Sequence, residues 1–154
     1  MSPNNTDRIE QKIVLRVPRG RVWRALTDAE EFSAWFGAKM EAPFRQGTTV
    51  KGKLTIEGYE GLPLEMSIDM IEPERLFSWR WHPYAVDPAV DYSAEPKTHV
   101  VCRLEQGGPG TALTIVESGF DGLPATRRDE AYRMHDEGWA EQVRSIERYL
   151  AKAA

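Results

Sequence analysis

The sequence is poor in the features that mark secreted and membrane-spanning proteins. It has one cysteine, Cys102, so no disulfide can form within the chain, which is typical of a reducing compartment. No apolar run approaches the roughly 18 residues that a transmembrane helix requires, and residues 1–12 lack the apolar core of a signal peptide. We therefore expect a cytoplasmic protein without a membrane span.

The sequence also lacks a strong excess of charge of either sign. The formal net charge is -4, and acidic and basic residues are scattered along all 154 positions. No dense stripe of Lys and Arg is left to neutralise phosphates, so we expect no nucleic-acid partner. The length fits a single domain, residues 1–154, with one substantial core and no internal repeat. Tryptophan is plentiful, with five residues, and large aromatic side chains either fill a core or line a cavity.

Hydrophobic periodicity predicts a strand, two short helices and then a series of strands. Residues 8–17 alternate apolar and polar side chains, which indicates a half-buried strand. Pro18 ends that strand and can open a helix, and Asp28 begins a second short helix that ends at Gly37. Residues 48–118 then alternate with period two, interrupted by turn signals, which favours an antiparallel meander.

Within that meander, the clearest alternation predicts one buried face. It comprises Leu62, Leu64, Met66, Ile68 and Met70.

The last segment, residues 125–151, contains no proline and predicts a helix about 40 Å long. Its apolar side chains form a narrow stripe, which must lie on the inner face of the sheet. The stripe consists of Tyr132, Trp139, Val143, Ile146 and Leu150. Residues 83–97 hold three prolines and show no period, which is compatible with a lid, a binding loop or a plain surface excursion.

The order of these segments, together with several motifs, resembles a known superfamily. The stretches "VPRGRVWRALTDAEEFSAWFG", "EPERLFSWRW", "LTIVESGFDGLP" and "HDEGWAEQVRSIERYL" resemble the START-like (SRPBCC) superfamily. More narrowly, they are similar to the branch related to the carboxy-terminal domain of the activator of the heat-shock protein 90 ATPase. The resemblance implies an α+β helix-grip fold, in which a curved antiparallel sheet of about six or seven strands wraps around a long carboxy-terminal helix. It also implies a cavity between sheet and helix, which in many relatives receives a lipid-like or aromatic molecule.

The superfamily does not imply one activity, because one fold hosts many functions and the site decides between them. Our first hypothesis is a non-catalytic domain that binds a small apolar, aromatic or lipid-like molecule. The second is an enzyme of the cyclase, aromatase or hydrolase type that uses the same pocket. The third is a co-chaperone-like or regulatory interaction module that acts through its surface, with a second copy of the chain (a homodimer) and a chaperone as candidate partners.

The candidate site residues are those that strand parity and helix projection turn inward. A pocket with aromatic walls and few polar groups is the usual composition of a small-molecule site. A tryptophan or methionine in such a stripe more often fills a core, however. The candidate ligand-binding residues are Trp35, Phe36, Met66, Ile68, Trp79, Trp81, Ile115, Glu117, Tyr132, His135 and Trp139.

Three adjacent ionisable residues on the last helix are separated by the helix projection. His135 and Asp136 flank the apolar stripe, whereas Glu137 points nearly opposite, so the three cannot converge on one ion. We therefore expect no metal and no cofactor. His135 and Glu117 are the candidate acid–base pair, because the inner faces of the helix and of the last strand can bring them together. The alternative is an ordinary buried hydrogen-bonded pair.

One glycine inside the predicted helix, Gly138, calls for a physical reason. Glycine in a helix interior costs about 1 kcal/mol against alanine. Beside Trp139, it predicts a close approach, a bend of the helix over the sheet, or space for a pocket.

Overall fold

The computed structural model describes residues 7–83 and 91–153, in which one strand, two short helices, six strands and a long helix follow one another. The strands are β1 (Arg8–Leu15), β2 (Ala38–Met40), β3 (Thr49–Leu54), β4 (Pro63–Glu72), β5 (Leu76–Trp81), β6 (Thr98–Gly107) and β7 (Gly110–Ser118). The α-helices are α1 (Arg19–Thr27), α2 (Ala29–Phe36) and α3 (Ala125–Ala153), and a short 3-10 helix covers Phe120–Gly122.

All seven strands form one antiparallel sheet in the order β1-β7-β6-β5-β4-β3-β2. Each strand from β2 to β6 therefore lies beside the strand that follows it in the chain, as short connections favour. The predicted α+β helix-grip fold is confirmed, including the two short helices after the first strand. The sequence patterns did not reveal β2, since three residues are too few to show a period of two.

The second short helix is fixed at both ends. Asp28 Oδ1 accepts hydrogen bonds from the backbone N–H groups of Glu30 and Glu31, each at 3.0 Å, which caps the beginning of α2. Gly37 ends α2 in the left-handed region with φ 91°, where a residue without Cβ is favoured. Two side chains of α3 donate hydrogen bonds to the last carbonyls of α2. Gln142 Nε2 donates to Phe36 O at 2.8 Å, and Ser145 Oγ donates to Trp35 O at 2.5 Å.

A β-bulge interrupts the alternation in β4. The register against β5 shifts between Ile68 and Met70, and the Met70 N–H donates to Ser78 Oγ at 3.1 Å. Met66 and Ile68 are buried as predicted, but Met70 is 39% exposed. The predicted burial of Met70 was wrong, because an extra residue in one strand turns the side chains that follow it to the other face.

The long helix lies against the sheet through its predicted stripe. Trp139, Ile146 and Leu150 are buried, and Tyr132 and Val143 are partly buried against the same core. The burial of this face stabilises α3 far more than helix propensity does. Within the described part of the chain, no helix is both long and apolar enough to cross a bilayer.

Candidate functional site

The carboxylate of Glu117, on β7, is fully buried beneath α3 and accepts four hydrogen bonds. Oε1 accepts from His135 Nδ1 at 2.6 Å and from Trp139 Nε1 at 2.8 Å. Oε2 accepts from Trp81 Nε1 at 2.8 Å and from Thr98 Oγ1 at 2.5 Å. Burying a charge is costly unless it is paired and hydrogen-bonded, and both conditions are met here.

The fold brings these partners together from three neighbouring strands and one helix. Trp81 on β5 pairs with Thr98 on β6, and β6 lies beside β7, which carries Glu117. His135 and Trp139 are four residues apart on α3, so their side chains share one face of the helix. Strand parity and helix spacing turn all five side chains toward the space between sheet and helix, and the pairing of β5, β6 and β7 brings them together there.

Both ring nitrogens of His135 are engaged. Nδ1 contacts Glu117, and Nε2 lies 2.5 Å from the carbonyl oxygen of Pro83, which can only accept a hydrogen bond. Burial by itself lowers the pKa of His135, but the charge of Glu117 and these two hydrogen bonds outweigh burial and raise it. Burial likewise raises the pKa of Glu117, but His135 and the other donors outweigh burial and lower it. The pair is therefore an imidazolium–carboxylate ion pair.

This ion pair predicts a pH-dependent stability. Because the pKa of His135 is raised on folding, its contribution is fully present below its unfolded pKa of about 6.5 and declines as the pH rises through the folded pKa. We therefore compare the free energy of unfolding of the native protein with that of His135→Gln. Between the unfolded and the folded pKa of His135, the difference should shrink by up to about 1.4 kcal/mol per pH unit. The lowered pKa of Glu117 matters only in acid, where its contribution is lost as the pH falls through its folded pKa. Urea denaturation between pH 6 and 9 measures this difference.

His99→Gln is the matched control for that experiment. Burial and Arg80 outweigh the ion-pair partner Asp69 and lower the pKa of His99, so its contribution is lost as the pH falls rather than as it rises. The difference for His99→Gln should therefore be flat between pH 7 and 9. A flat profile for His135→Gln over the same interval would contradict the ion pair.

A cavity of about 670 Å³ lies beside this ion pair, between α2, α3 and the hairpin of β3 and β4. Its aromatic and aliphatic walls are formed mainly by Trp35, Phe36, Leu54, Ile56, Leu62, Leu64, Trp81, Met134 and Trp139. Three exposed charged residues of α3 also line it, namely Glu137, Glu141 and Arg148. The cavity thus combines an apolar interior with a charged edge.

Several polar side-chain atoms of the cavity wall already form hydrogen bonds within the protein. Trp35 Nε1 donates to Ala25 O at 2.8 Å, and the N–H groups of Trp81 and Trp139 donate to Glu117. Gln142 and Ser145 donate to the end of α2, as described above. The indole rings therefore offer a ligand carbon surface and π electrons rather than hydrogen-bond donors.

Five of the predicted ligand-binding residues line this cavity, namely Trp35, Phe36, Trp81, His135 and Trp139. Glu117 is bonded to three of them and lies outside the lining.

The other five predicted residues lie away from the cavity wall. Met66, Ile68, Trp79 and Ile115 are buried in the core, and Tyr132 donates to Arg8 O at 2.9 Å. They belong to or pack against the core and do not line this cavity. Strand parity identifies the concave face of a sheet, but it does not separate the part that is packed by core side chains from the part that faces a cavity.

The sequence patterns missed the hairpin wall and one edge of the cavity. Leu54, Ile56 and Tyr59 belong to or follow β3, and Arg148 lies near the end of α3. The edge on α3 could have been predicted from the sequence. Glu141, Gln142 and Ser145 follow Gly138 at helical spacing, so they lie on the same face of α3 as this glycine and line the cavity with it.

Gly138 lines the cavity, and a Cβ atom there would meet nothing within 4 Å. The predicted close approach at this glycine was therefore wrong, and the open space corresponds to the pocket alternative.

The described residues contain no group of three or more His, Cys, Asp or Glu side chains placed to hold a metal ion. The segment 83–97, which is compatible with a lid, a binding loop or a plain surface excursion, includes residues 84–90, and these lie outside the described residues. The later part of that segment reaches α3 through an ion pair between Glu95 and Arg127.

Solved structures of other proteins share this fold over nearly the whole chain. Protein MLL2253 from Mesorhizobium loti is 22% identical with a TM-score of 0.76, covering 96% of this chain and 98% of the other. Protein Ms6760 from Mycobacterium smegmatis is 17% identical with a TM-score of 0.76, covering 100% and 97%. The Aha1 dimer from Colwellia psychrerythraea, a solution structure, is 16% identical with a TM-score of 0.67, covering 91% and 92%. Identities this low establish the fold alone. No curated protein matches the chain.

The sheet, the two short helices and the long helix above the cavity define a START-like protein of the helix-grip class. The profile of one family within that class, described as Activator of Hsp90 ATPase homolog 1-like protein, matches residues 16–151. The chain belongs to this family.

Proposed function

We propose that the chain is a single, non-catalytic domain that binds a small apolar, aromatic or lipid-like molecule between α2, α3 and the hairpin of β3 and β4. One observation carries the proposal, namely the cavity of about 670 Å³ with aromatic and aliphatic walls. Volumes of about 300–1,000 Å³ and mainly apolar linings are usual for small-molecule sites.

The ligand contacts that we propose are Trp35, Phe36, Trp81, His135 and Trp139, each of which lines the cavity. Glu117 acts through them as a positioning residue, because it binds the indole N–H groups of Trp81 and Trp139 and the imidazole of His135. Apolar burial supplies affinity in such a site at about 25 cal/mol per Å² of surface removed from water.

The two contacts of His135 argue against its use as a general base. A general base needs a ring nitrogen that can accept the substrate proton, whereas both nitrogens of His135 donate to Glu117 and to the Pro83 carbonyl. Acid–base catalysis by this residue would first require one of these contacts to break. The same two contacts hold the ring against the cavity wall, which suits a binding role.

Location and assembly are part of the proposal. The chain has a single cysteine, the buried Cys102, so it forms no internal disulfide, as suits a protein of the reducing cytoplasm. Since the structure of a relative from Colwellia psychrerythraea is described as a dimer, we propose a homodimer as the assembled form.

Native mass spectrometry of the purified protein tests the binding function and the assembly together. We expect an excess mass of a few hundred daltons that is released on denaturation, or else stoichiometric uptake of added N-phenyl-1-naphthylamine, a neutral aromatic probe. The protomer and dimer masses are read from the same spectrum. A spectrum with neither excess mass nor uptake of the probe would contradict the binding function.

A further inference from the structure

We infer that Gly138 determines which ligands the cavity accepts, and that the ligand presents a rigid, flat, apolar ring system to α3 at this residue. The inference rests on the proposed binding function and adds a specificity-determining position and a shape to it.

The backbone of α3 does not need this glycine. Gly138 lies well inside the 29-residue helix and is absent from the glycines with positive φ. A Cβ atom would meet nothing within 4 Å, so no neighbouring element approaches closely enough to exclude a side chain. Glycine in a helix interior is destabilising relative to alanine. Its benefit therefore lies in the volume that it leaves open.

That volume belongs to the cavity. The neighbours of Gly138 on the same face of α3 also line the cavity. They are Met134, one turn before it, and Glu141 and Gln142, one turn after it. A side chain at position 138 would project from the middle of this row of cavity-lining residues. Without one, the helix surface is locally flat, because only backbone and flanking side chains remain.

The adjacent wall favours a ring system over a flexible acyl chain. The indole rings of Trp81 and Trp139 are nearly parallel, with an interplanar angle of 29° and centroids 6.1 Å apart. Their N–H groups are bound to Glu117, which fixes the orientation of both rings. Preorganised aromatic surfaces favour planar groups through stacking, whereas an acyl chain must lose rotational freedom to lie in the same space.

Two substitutions at the same position test this inference without disturbing the core. Gly138→Ala should raise the melting temperature by about 2–4 °C, because it improves helix propensity and meets no neighbour. Gly138→Leu should stay folded but bind N-phenyl-1-naphthylamine about tenfold more weakly or worse, since its side chain occupies ligand space. Arg133→Leu is the matched control, because it adds the same side chain to an exposed position of α3 outside the cavity lining. Its affinity for the probe should equal that of the native protein.

Fluorescence titration with N-phenyl-1-naphthylamine and with dodecanoate separates the outcomes. The inference predicts that the native protein prefers the aromatic probe and that Gly138→Leu removes this preference. Equal affinity of Gly138→Leu and the native protein, a preference for dodecanoate, or a lower melting temperature of Gly138→Ala would each overturn the role of Gly138 while leaving the binding function intact. No binding of either probe by native protein whose mass shows no bound molecule would overturn the binding function and this inference with it.

Discussion

Glu117→Gln should lower the free energy of unfolding by about 3–5 kcal/mol, the cost of breaking a buried charge pair by removing one partner. The amide oxygen can replace one carboxylate oxygen, but the amide nitrogen cannot accept a hydrogen bond. One indole N–H, either that of Trp139 or that of Trp81, is then left without an acceptor in the core. The buried imidazolium of His135 also loses its counter-charge. Urea denaturation at pH 6.5 measures the loss.

Glu105→Gln provides the matched comparison, because Glu105 is an exposed carboxylate on the neighbouring strand β6. Substitutions at such surface positions usually stay within about 0.5 kcal/mol of the native protein. If Glu117→Gln were as stable as Glu105→Gln, the carboxylate could not be the charged centre that holds α3 to the sheet.

Trp139→Ala should also cost about 3–5 kcal/mol, since it removes a large buried ring and leaves a cavity behind. The ring of Trp139 lies against those of Phe36, Trp79 and Trp81, with centroids 6.3, 6.4 and 6.1 Å away. Trp139→Phe keeps most of the ring but removes the N–H group that Glu117 Oε1 accepts at 2.8 Å. It should therefore cost less, about 1.5–3 kcal/mol, which is the usual contribution of a hydrogen bond to a charged group.

The contribution of the indole N–H can be isolated with Trp23→Phe as the control. Trp23 is only partly buried and packs edge-to-face on Phe77 at 6.5 Å, outside the cavity lining. We expect Trp23→Phe to cost less than Trp139→Phe in the same denaturation series. Equal losses for the two phenylalanine variants would show that the bond to Glu117 contributes nothing measurable.

Much of the fold follows from local signals. Asp28 and Gly37 limit α2 through a side-chain cap and a left-handed backbone, both of which depend on residue type. The stripe from Tyr132 to Leu150 predicts the buried face of α3 because helical spacing is regular. The juxtaposition of His135 and Glu117 follows from the same regularity, combined with strand parity, and the structure places them 2.6 Å apart.

The remaining features depend on long-range geometry. The bulge at Met70 comes from the pairing of β4 with β5, and no local pattern in β4 reveals it. The wall at Ile56 and Leu64 is formed because the hairpin of β3 and β4 extends over α2 and α3, which depends on sheet curvature rather than on residue parity. The indole N–H of Trp81 reaches Glu117 across 36 residues of sequence. Periodicity assigns a face to a residue, but it does not assign a hydrogen-bond partner.

The most direct test of ligand binding in this cavity uses the tryptophans as reporters. In a nitrogen–proton correlation spectrum, each of the five indole N–H groups gives its own signal, which can be followed during titration with N-phenyl-1-naphthylamine. Trp35, Trp81 and Trp139 line the cavity, whereas Trp23 and Trp79 do not. We predict saturable one-to-one shifts of the first three signals and much smaller shifts of the other two. No shift in any signal, or shifts of the same size in all five, would contradict binding in this cavity.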